Sequence, residues 1–449
     1  MTRRYRKRLR RRLPPLSYTP AVRLLIVAFY FPPAGGGGVQ RTLKFCKFLP
    51  EFGVDVHVLA PDDPKWFARD DDLLSSVPAG TTVHRARFFG PRSSLLQEAR
   101  SGRSGLRRAA VEARYAYERA LVPDKVAPWI ATAAPVGARV VRREGIDVIM
   151  STSPPGSVHL VAEAVAAASR KPFVADFRDS WLDSPHRTYD RVSVRAKRRL
   201  VAGMARSVVT RAAALTAATG SIAQELAAIH ASAAHKTTVI ENGADFDDFE
   251  GLRRTNGDRF TIVHAGSFFG QRSPRPFLLG LQRLLARRPE LHGKVAARFV
   301  GTLRQSDRQW AQQLGIDGAW EELGFLPYRD SVGEQRAADA LLLLIPNADG
   351  RGDTVLSGKV FEYIASRRPI LASVPPAGAA ANLLRSLGAA EVVGPEDSDA
   401  IASALERMVD RWSNGAGLPD AEYGRDVLER LSRRSRANDL AEVLRRVAK

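Results

Sequence analysis

Ser357-Gly358-Lys359-Val360-Phe361-Glu362-Tyr363-Ile364-Ala365-Ser366 follows an apolar run, Leu341 to Pro346, and a polar glycine-containing loop, Asn347 to Leu356. Behind it, Arg368-Pro369-Ile370-Leu371-Ala372 reads as the next strand. The order is strand, loop, helix N-terminus, helix, strand, which is the repeating unit of a parallel α/β sheet. A helix N-terminus offers unpaired N–H groups and partial positive charge, so it suits a phosphate. Ser357 stands where an N-cap belongs, and Gly358 lets a ligand approach the backbone. Lys359 adds a point charge for that phosphate, and Glu362, one turn on, can accept both hydroxyls of a ribose diol. The same ten residues also describe an ordinary capped helix with one exposed Lys and one exposed Glu. The flanking chain has to decide between the two.

Working back toward residue 246, the pattern repeats. Phe260 to Ala265 reads as a strand and is followed by Gly266-Ser267-Phe268-Phe269-Gly270-Gln271-Arg272. A helix from about Pro276 to Arg288 leads to a strand, Ala296 to Val300, that ends in Gly301-Thr302. Glu322 to Tyr328 is a short strand and turn containing Gly324-Phe325-Leu326. The first half of the chain has its own series. Val22 to Phe29 is a continuous apolar run, as in a strand buried on both faces. It opens into Tyr30-Phe31-Pro32-Pro33-Ala34-Gly35-Gly36-Gly37-Gly38-Val39-Gln40-Arg41 and then a helix. Four consecutive glycines carry an entropic cost with no packing benefit, so they point to close passage of backbone and ligand. Strands are also expected at 54–59, 82–86, 146–150, 173–175, 214–217 and 237–240. The strand at 173–175 runs into Asp176-Phe177-Arg178-Asp179-Ser180-Trp181, a charged and aromatic cluster at a carboxyl end, where open α/β sheets collect ligands. Asp176 and Asp179 are therefore candidates to orient sugar hydroxyls or to take a proton.

The expected division is a basic disordered tail (1–20), a first Rossmann-like unit (21–245), a linker (246–259), a second unit (260–425) and a C-terminal helix (426–449). At 449 residues and 45% apolar content the chain can bury two such cores. Its balance of +20 draws it to anionic surfaces or ligands. Arg3 to Arg12 holds eight basic residues and no acid, a candidate anchor on anionic lipid. In the segment 87–125, Leu106, Ala110, Ala113, Tyr117 and Leu121 share one helical face, with Arg100, Arg103, Arg107 and Arg114 adjoining it. That amphipathic basic helix suits an interface or an ordinary docked surface helix. Nucleic acid is disfavoured, since only Tyr5 interleaves the basic run and no nucleic-acid motif accompanies it.

Other chemistries find no footing. There is no Walker GxxxxGK[ST] sequence, no GxGxxG and no GxSxG elbow. No His, Cys or Asp spacing suggests a metal site. The single cysteine, Cys46, excludes an intramolecular disulfide and reads as core packing. No window is apolar enough to span a bilayer, and the apolar run at 24–31 is too short and wrongly flanked for a signal peptide. A cytoplasmic chain, peripheral on the inner face of the plasma membrane, is expected.

The ordered loops resemble those of the family 4-like glycosyltransferases of the two-Rossmann (GT-B) class, across roughly residues 22–412. The matching residues are Tyr30-Phe31-Pro32-Pro33 with the glycine run and Arg41, Ser153-Pro154-Pro155, Ala175 to Trp181, Ile240 to Asp245, Ala265-Gly266-Ser267 and Ser357 to Tyr363. They look most like the branch that builds bacterial surface polysaccharides and glycoconjugates. The resemblance implies an α/β fold of two Rossmann-like domains facing a cleft. It also implies sugar transfer from a nucleotide-diphosphate donor, a UDP- or GDP-sugar, to a glycan or lipid-linked acceptor. Retention of configuration is implied, with no metal or other cofactor. By similarity, Glu362 binds the donor ribose, while Arg272 and Lys359 meet the diphosphate beside Gly266, Ser357 and Gly358. Gly324 to Leu326 meet the base through backbone groups, Gly36, Gly37 and Gly38 lie by the diphosphate and sugar, and Asp176 or Asp179 faces the acceptor. Two departures stand out. The family's second Glu, eight residues before Glu362, is replaced by Thr354, with Asp353 beside it. The usual Arg and Lys after the first strand of the second half are reduced to Arg272. A nucleotide-sugar epimerase or hydrolase on the same fold, and a non-enzymatic binder of anionic polymers, are the alternatives.

Overall fold

The computed structural model describes residues 22–64, 66, 68–91, 106–182, 192–254, 257–414 and 418–449. The basic run Arg3 to Arg12, together with Arg100 and Arg103, lies outside the described residues.

Two wholly parallel sheets organise the chain. The first has seven strands in the order β3-β2-β1-β4-β5-β6-β7. Its strands are β1 (Val22–Ala28), β2 (Val54–Pro61), β3 (Thr82–Ala86), β4 (Val148–Ser153), β5 (Phe173–Phe177), β6 (Ala214–Ala217) and β7 (Thr237–Val239). The second has six strands in the order β10-β9-β8-β11-β12-β13. These are β8 (Phe260–Ala265), β9 (Val295–Val300), β10 (Trp320–Gly324), β11 (Ala340–Leu344), β12 (Ile370–Ser373) and β13 (Ala390–Val393). Helices cross over between successive strands, which is why the central strands β1, β4 and β11 are buried along almost their whole length. Both sheets reverse direction of winding beside their first strand, between β1 and β4 and between β8 and β11. Such a reversal opens a crevice at the carboxyl ends of the strands.

Three features depart from the sequence expectations. A helix spans Ile130–Glu144, which sequence reading leaves unassigned, with Pro135 inside it. The stretch expected as a plain linker contains a 3-10 turn, Phe246–Phe249, that packs on the second domain. The C-terminal helix, Arg433–Val447, returns to the first domain. Its Ala437, Leu440, Ala441, Val443 and Leu444 join Val22, Leu24, Ile26, Val54 and Val56 in one core. Each of its fully buried Leu side chains is worth about 2 kcal/mol of transfer free energy, enough to hold the return. Arg445 adds a 2.7 Å hydrogen bond to the Phe52 carbonyl. The chain therefore passes between domains twice, at 244–249 and again at 431–433, where a β-bridge joins Ala244 to Ser432.

The two carboxyl edges face each other at close range. The Tyr328 backbone N–H donates to Asp70 Oδ2 at 2.7 Å. The Phe325 ring lies against Gly35, where a Cβ would be only 2.8 Å from it. The Tyr328 hydroxyl donates to Asp248 Oδ2 at 2.7 Å, and Lys44 bridges Asp245 (2.6 Å) and Asp248 (2.5 Å).

Candidate active site

The second-domain crevice is built on two glycines with left-handed-region backbone. Gly266 ends β8 with φ 135°, and Gly301 ends β9 with φ 124°. A Cβ at Gly301 would sit 2.6 Å from the Gly266 backbone, and one at Gly266 would sit 2.1 Å from Lys359 Nζ. Only glycine allows the ammonium to rest there. Lys359 reaches this point from the first turn of the helix Gly358–Ser366. Ser357 occupies the N-cap position with extended backbone, but its hydroxyl makes no capping bond, contrary to the capping role expected of it. A Cβ at Gly358 would meet nothing within 4 Å, so the helix start opens onto space.

Arg272 and Glu362 belong to the same hollow. Burial holds the Lys359 ammonium well below the usual lysine range; the Arg272 charge pushes the same way and Glu362 opposes both. Burial likewise lowers Arg272, whose guanidinium lies 5.3 Å from the centre of the Phe269 ring and whose Nε is buried without a partner. Burial raises the Glu362 carboxyl; Arg433, Lys359 and Lys44 pull it down, and Asp248 pushes it up. Among the described residues, no hydrogen bond or ion pair engages the side chains of Lys359, Arg272 or Glu362. Beneath Lys359, His264 Nδ1 pairs with the Leu342 carbonyl at 2.8 Å. Burial, Lys359 and Arg272 hold that imidazole neutral. Two cations and one carboxylate, gathered at the winding reversal with no hydrogen-bond or ion-pair partner among the described residues, have the chemistry to receive a diphosphate with a polyol beside it.

Across the gap, Gly36, Gly37 and Gly38 are exposed at the start of the helix Gly37–Phe48, which has no side-chain cap. Gly324 and Leu326 flank Phe325 on the second-domain side. Arg178 fastens the glycine loop by donating to the Gly38 carbonyl and to the Ser153 carbonyl. Asp179 is exposed beside Arg178 and Tyr30.

Asp176 is not where an acceptor could meet it. It is 0% exposed, and its carboxylate already accepts four hydrogen bonds. Arg41 donates through Nη2 (2.8 Å) and Nε (3.1 Å), and the hydroxyls of Thr152 and Thr216 donate at 2.7 Å each. Burial alone would raise this carboxyl; Arg41 and the hydroxyls outweigh it and hold the group below the ordinary carboxylate range. Arg41 continues to the Ile240 and Glu241 carbonyls at 2.8 and 3.0 Å. Asp176 thus ties the glycine-loop helix to β4, β5, β6 and the interdomain passage. That is a structural role, and the expectation that it serves as acceptor base is corrected here. Of the pair, only Asp179 stands at the surface of the cleft.

Thr354 does not replace the absent Glu. It is exposed, and its hydroxyl donates to the Arg351 carbonyl at 3.2 Å. Its neighbour Asp353 lines a cavity of about 460 Å³ with Asn347, Pro375, Pro376 and Glu396.

Sequence reasoning missed Tyr328, Asp248, Lys44 and Arg433, which surround Glu362. Arg433 opens the last helix, Arg433–Val447. It is buried, contacts Asn242 Oδ1 at 3.3 Å, and is lowered to about 10 by burial, with Arg41 adding to the shift. The charge of Lys44 three residues beyond Arg41 was visible in the sequence. Its convergence with the tail was not.

With this geometry in hand, comparison with known proteins is informative. Residues 36–243 match the family described as glycosyl transferase 4-like domain. No curated protein is significantly similar to the chain in sequence. Among solved structures, a glycosyltransferase from Rickettsia africae ESF-5 superposes with a TM-score of 0.59 at 13% identity, covering 95% of this chain and 99% of that one. Sucrose-phosphate synthase from Thermosynechococcus elongatus gives the same figures, TM-score 0.59 and 13% identity over 95% and 99% of the two chains. The UDP-GlcNAc 2-epimerase of Methanocaldococcus jannaschii follows at TM-score 0.51 and 10% identity, over 94% and 99%. Identities this low speak to fold alone. Residues 36–243 are similar to a glycosyl transferase 4-like domain, and the chain as a whole has the GT-B fold, two Rossmann-like domains facing a cleft.

Proposed function

We propose that the protein transfers a sugar from a nucleoside-diphosphate donor, UDP- or GDP-linked, to a glycan or lipid-linked acceptor. The observation that carries this reading is the placement of Lys359 Nζ directly over Gly266, beside Arg272 and Glu362, with no hydrogen-bond or ion-pair partner for any of the three side chains among the described residues. In such a reaction the leaving nucleoside diphosphate gains negative charge. Arg272, Lys359 and the start of the helix Gly358–Ser366 oppose that charge from fixed positions. Glu362 receives the ribose hydroxyls, and the backbone at Gly324 and Leu326 meets the base. Closing the glycine loop over this site excludes water and disfavours donor hydrolysis. Asp179, exposed on the acceptor side, is the remaining candidate to orient an incoming hydroxyl. Retention of the sugar's configuration follows from the family resemblance. No helix of the described residues is long and apolar enough to cross a membrane, and a peripheral station on the inner membrane face suits a lipid-linked acceptor.

The test is a thermal-shift screen of UDP-, GDP- and dTDP-sugars, followed by incubation of the stabilising donor with lipid-phosphate and glycan acceptors. Sugar transfer that depends on the acceptor supports the proposal. Acceptor-independent epimerisation of a UDP-sugar would favour the epimerase reading, since the fold is shared with such enzymes. Absence of any nucleotide-dependent stabilisation would overturn both.

A further inference from the structure

The first domain holds an amide that neither its own packing nor the diphosphate chemistry employs. Gln40 is 2% exposed, and both its Nε2 and its Oε1 are buried without a hydrogen-bond partner among the described residues. A carboxamide buried with its hydrogen bonds unmet is costly, and a partner from outside the chain removes that cost. Gln40 is the first polar side chain of the helix Gly37–Phe48. Gly36 and Gly37, one turn ahead of it, are exposed, and a Cβ at either would meet nothing within 4 Å. The helix start therefore opens onto space, with Gln40 directly behind it. The helical period fixes which way Gln40 projects. It shares a side of the helix with Lys44, four residues on. Lys44 Nζ meets Asp245 at 2.6 Å and Asp248 at 2.5 Å, and Asp248 also accepts from the Tyr328 hydroxyl at 2.7 Å. Lys44 is near enough to Glu362 to pull its carboxyl down. This side of the helix thus looks across the cleft at the second domain. The favoured helical rotamers of a long side chain lean back toward the helix start, which carries the carboxamide toward the space beside Gly36 and Gly37.

Resting on the transfer reading above, we propose that the Gln40 carboxamide receives a pair of neighbouring hydroxyls on the sugar being transferred and so selects which sugar the cleft accepts. The chemistry of the group chooses between the two parts of the donor that meet the glycine loop. A carboxamide donates through its N–H groups and accepts through its oxygen. A phosphate oxygen only accepts, so a diphosphate would pair with Nε2 and leave Oε1 buried and unmet. A hydroxyl both donates and accepts, and two adjacent hydroxyls complete both ends of the amide at once. The diphosphate has its cations on the second domain, at Arg272 and Lys359. A sugar with one of the two hydroxyls missing or inverted leaves part of the amide as unmet as in the free protein, which is how a buried polar group rejects a near relative of its ligand.

The test is calorimetry on the full-length protein and on Gln40→Met, with UDP, UDP-glucose, UDP-N-acetylglucosamine, GDP and GDP-mannose as probes. Met keeps the length of the side chain and removes the amide. The parent should bind at least one nucleotide sugar more tightly than the bare nucleotide. The variant should lose about fivefold or more of that advantage, the value of two neutral hydrogen bonds, and bind the bare nucleotide as the parent does. Its melting temperature without ligand should equal or exceed the parent's, because an unmet amide is gone. A variant that keeps the sugar advantage overturns the proposal, as does a parent that binds bare and sugar-linked nucleotides equally. An equal loss for bare and sugar-linked nucleotides would move the carboxamide to the diphosphate, and intact donor binding with a raised KM for the acceptor would move it to the acceptor; either overturns the assignment. Failure of the transfer reading looks different: the parent then binds none of the nucleotides, and both readings fall together. Should Gln40→Met fail to fold, Gln40→Asn, which withdraws the same amide by one methylene, is read in its place; loss of the sugar advantage is expected, and full retention overturns the proposal.

Discussion

Replacing Lys359 by Met separates binding from folding at one atom. The thioether keeps the length of the lysine stem and removes the ammonium that rests over Gly266. In the free protein that ammonium is a burden: it is desolvated, it is repelled by Arg272, and no ion pair compensates it. Removing an uncompensated charge of this kind typically returns about 1 kcal/mol, which for a domain of this size raises Tm by about 2–4 °C. In the complex the same charge faces a diphosphate. One unit pair at about 4 Å gains roughly 4 kcal/mol at an effective dielectric of about 20. Folding has already desolvated the lysine, so the ligand offsets little of that gain. Truncating one member of a buried charge pair costs about 2–5 kcal/mol, or roughly thirtyfold and more in affinity. Lys359→Met should therefore melt higher than the parent and bind UDP or GDP at least thirtyfold more weakly, measured by calorimetry and differential scanning on one preparation. Affinity within about threefold of the parent would refute the phosphate role. A lowered Tm, with affinity lost, would mean that Lys359 holds the fold together, and the reasoning from its missing partners would fail.

Three further outcomes are expected. Glu362→Ala should cut affinity for the nucleoside diphosphate by roughly tenfold, the value of hydrogen bonds to a charged acceptor, while leaving inorganic pyrophosphate binding unchanged in the same calorimeter. Asp176→Asn should destabilise the first domain by about 3 kcal/mol in urea, since it breaks a buried pair with Arg41; a folded, fully stable and inactive variant would restore a catalytic role. The Asp176 carboxyl is lowered in the fold, so its contribution is present above the unfolded value near ~4 and is lost as pH falls through the folded value; Asp176→Asn should flatten this acid limb of a stability–pH curve. Gly266→Ala should lower Tm and abolish nucleotide binding together, because its Cβ would displace the Lys359 ammonium; an Ala variant that binds UDP normally would show that the ammonium is free to sit elsewhere.

Much of the fold could be read from residue pattern because parallel strands buried on both faces write themselves as short apolar runs. The runs Val22 to Phe29, Phe260 to Ala265 and Leu341 to Pro346 coincide with such strands to within one or two residues at their ends. The clustering of the proposed phosphate end of the site was legible for a related reason. Gly266, Arg272, Lys359 and Glu362 each sit just past a strand or at a helix start, so topology alone delivers them to one edge. Asp176 misled because the sequence shows a carboxylate at a strand's end and not the Arg41, Thr152 and Thr216 side chains that saturate it from three other elements. Arg433 was invisible for the opposite reason. A basic residue in a tail reads as solvated, and only the return of the last helix to the first domain carries it beside Glu362. Ala113 and Tyr117 are exposed on the helix Leu106–Ala120, and likewise show that an amphipathic period fixes which residues share a face, not which face is covered.

The most direct measurement is a crystal structure of the protein with UDP or GDP bound at saturation. The account predicts the two phosphates within hydrogen-bond reach of Lys359 Nζ and the Arg272 guanidinium, over Gly266, with the ribose hydroxyls on Glu362. A nucleotide bound clearly elsewhere, or a hollow that stays empty in the presence of saturating ligand, would contradict it.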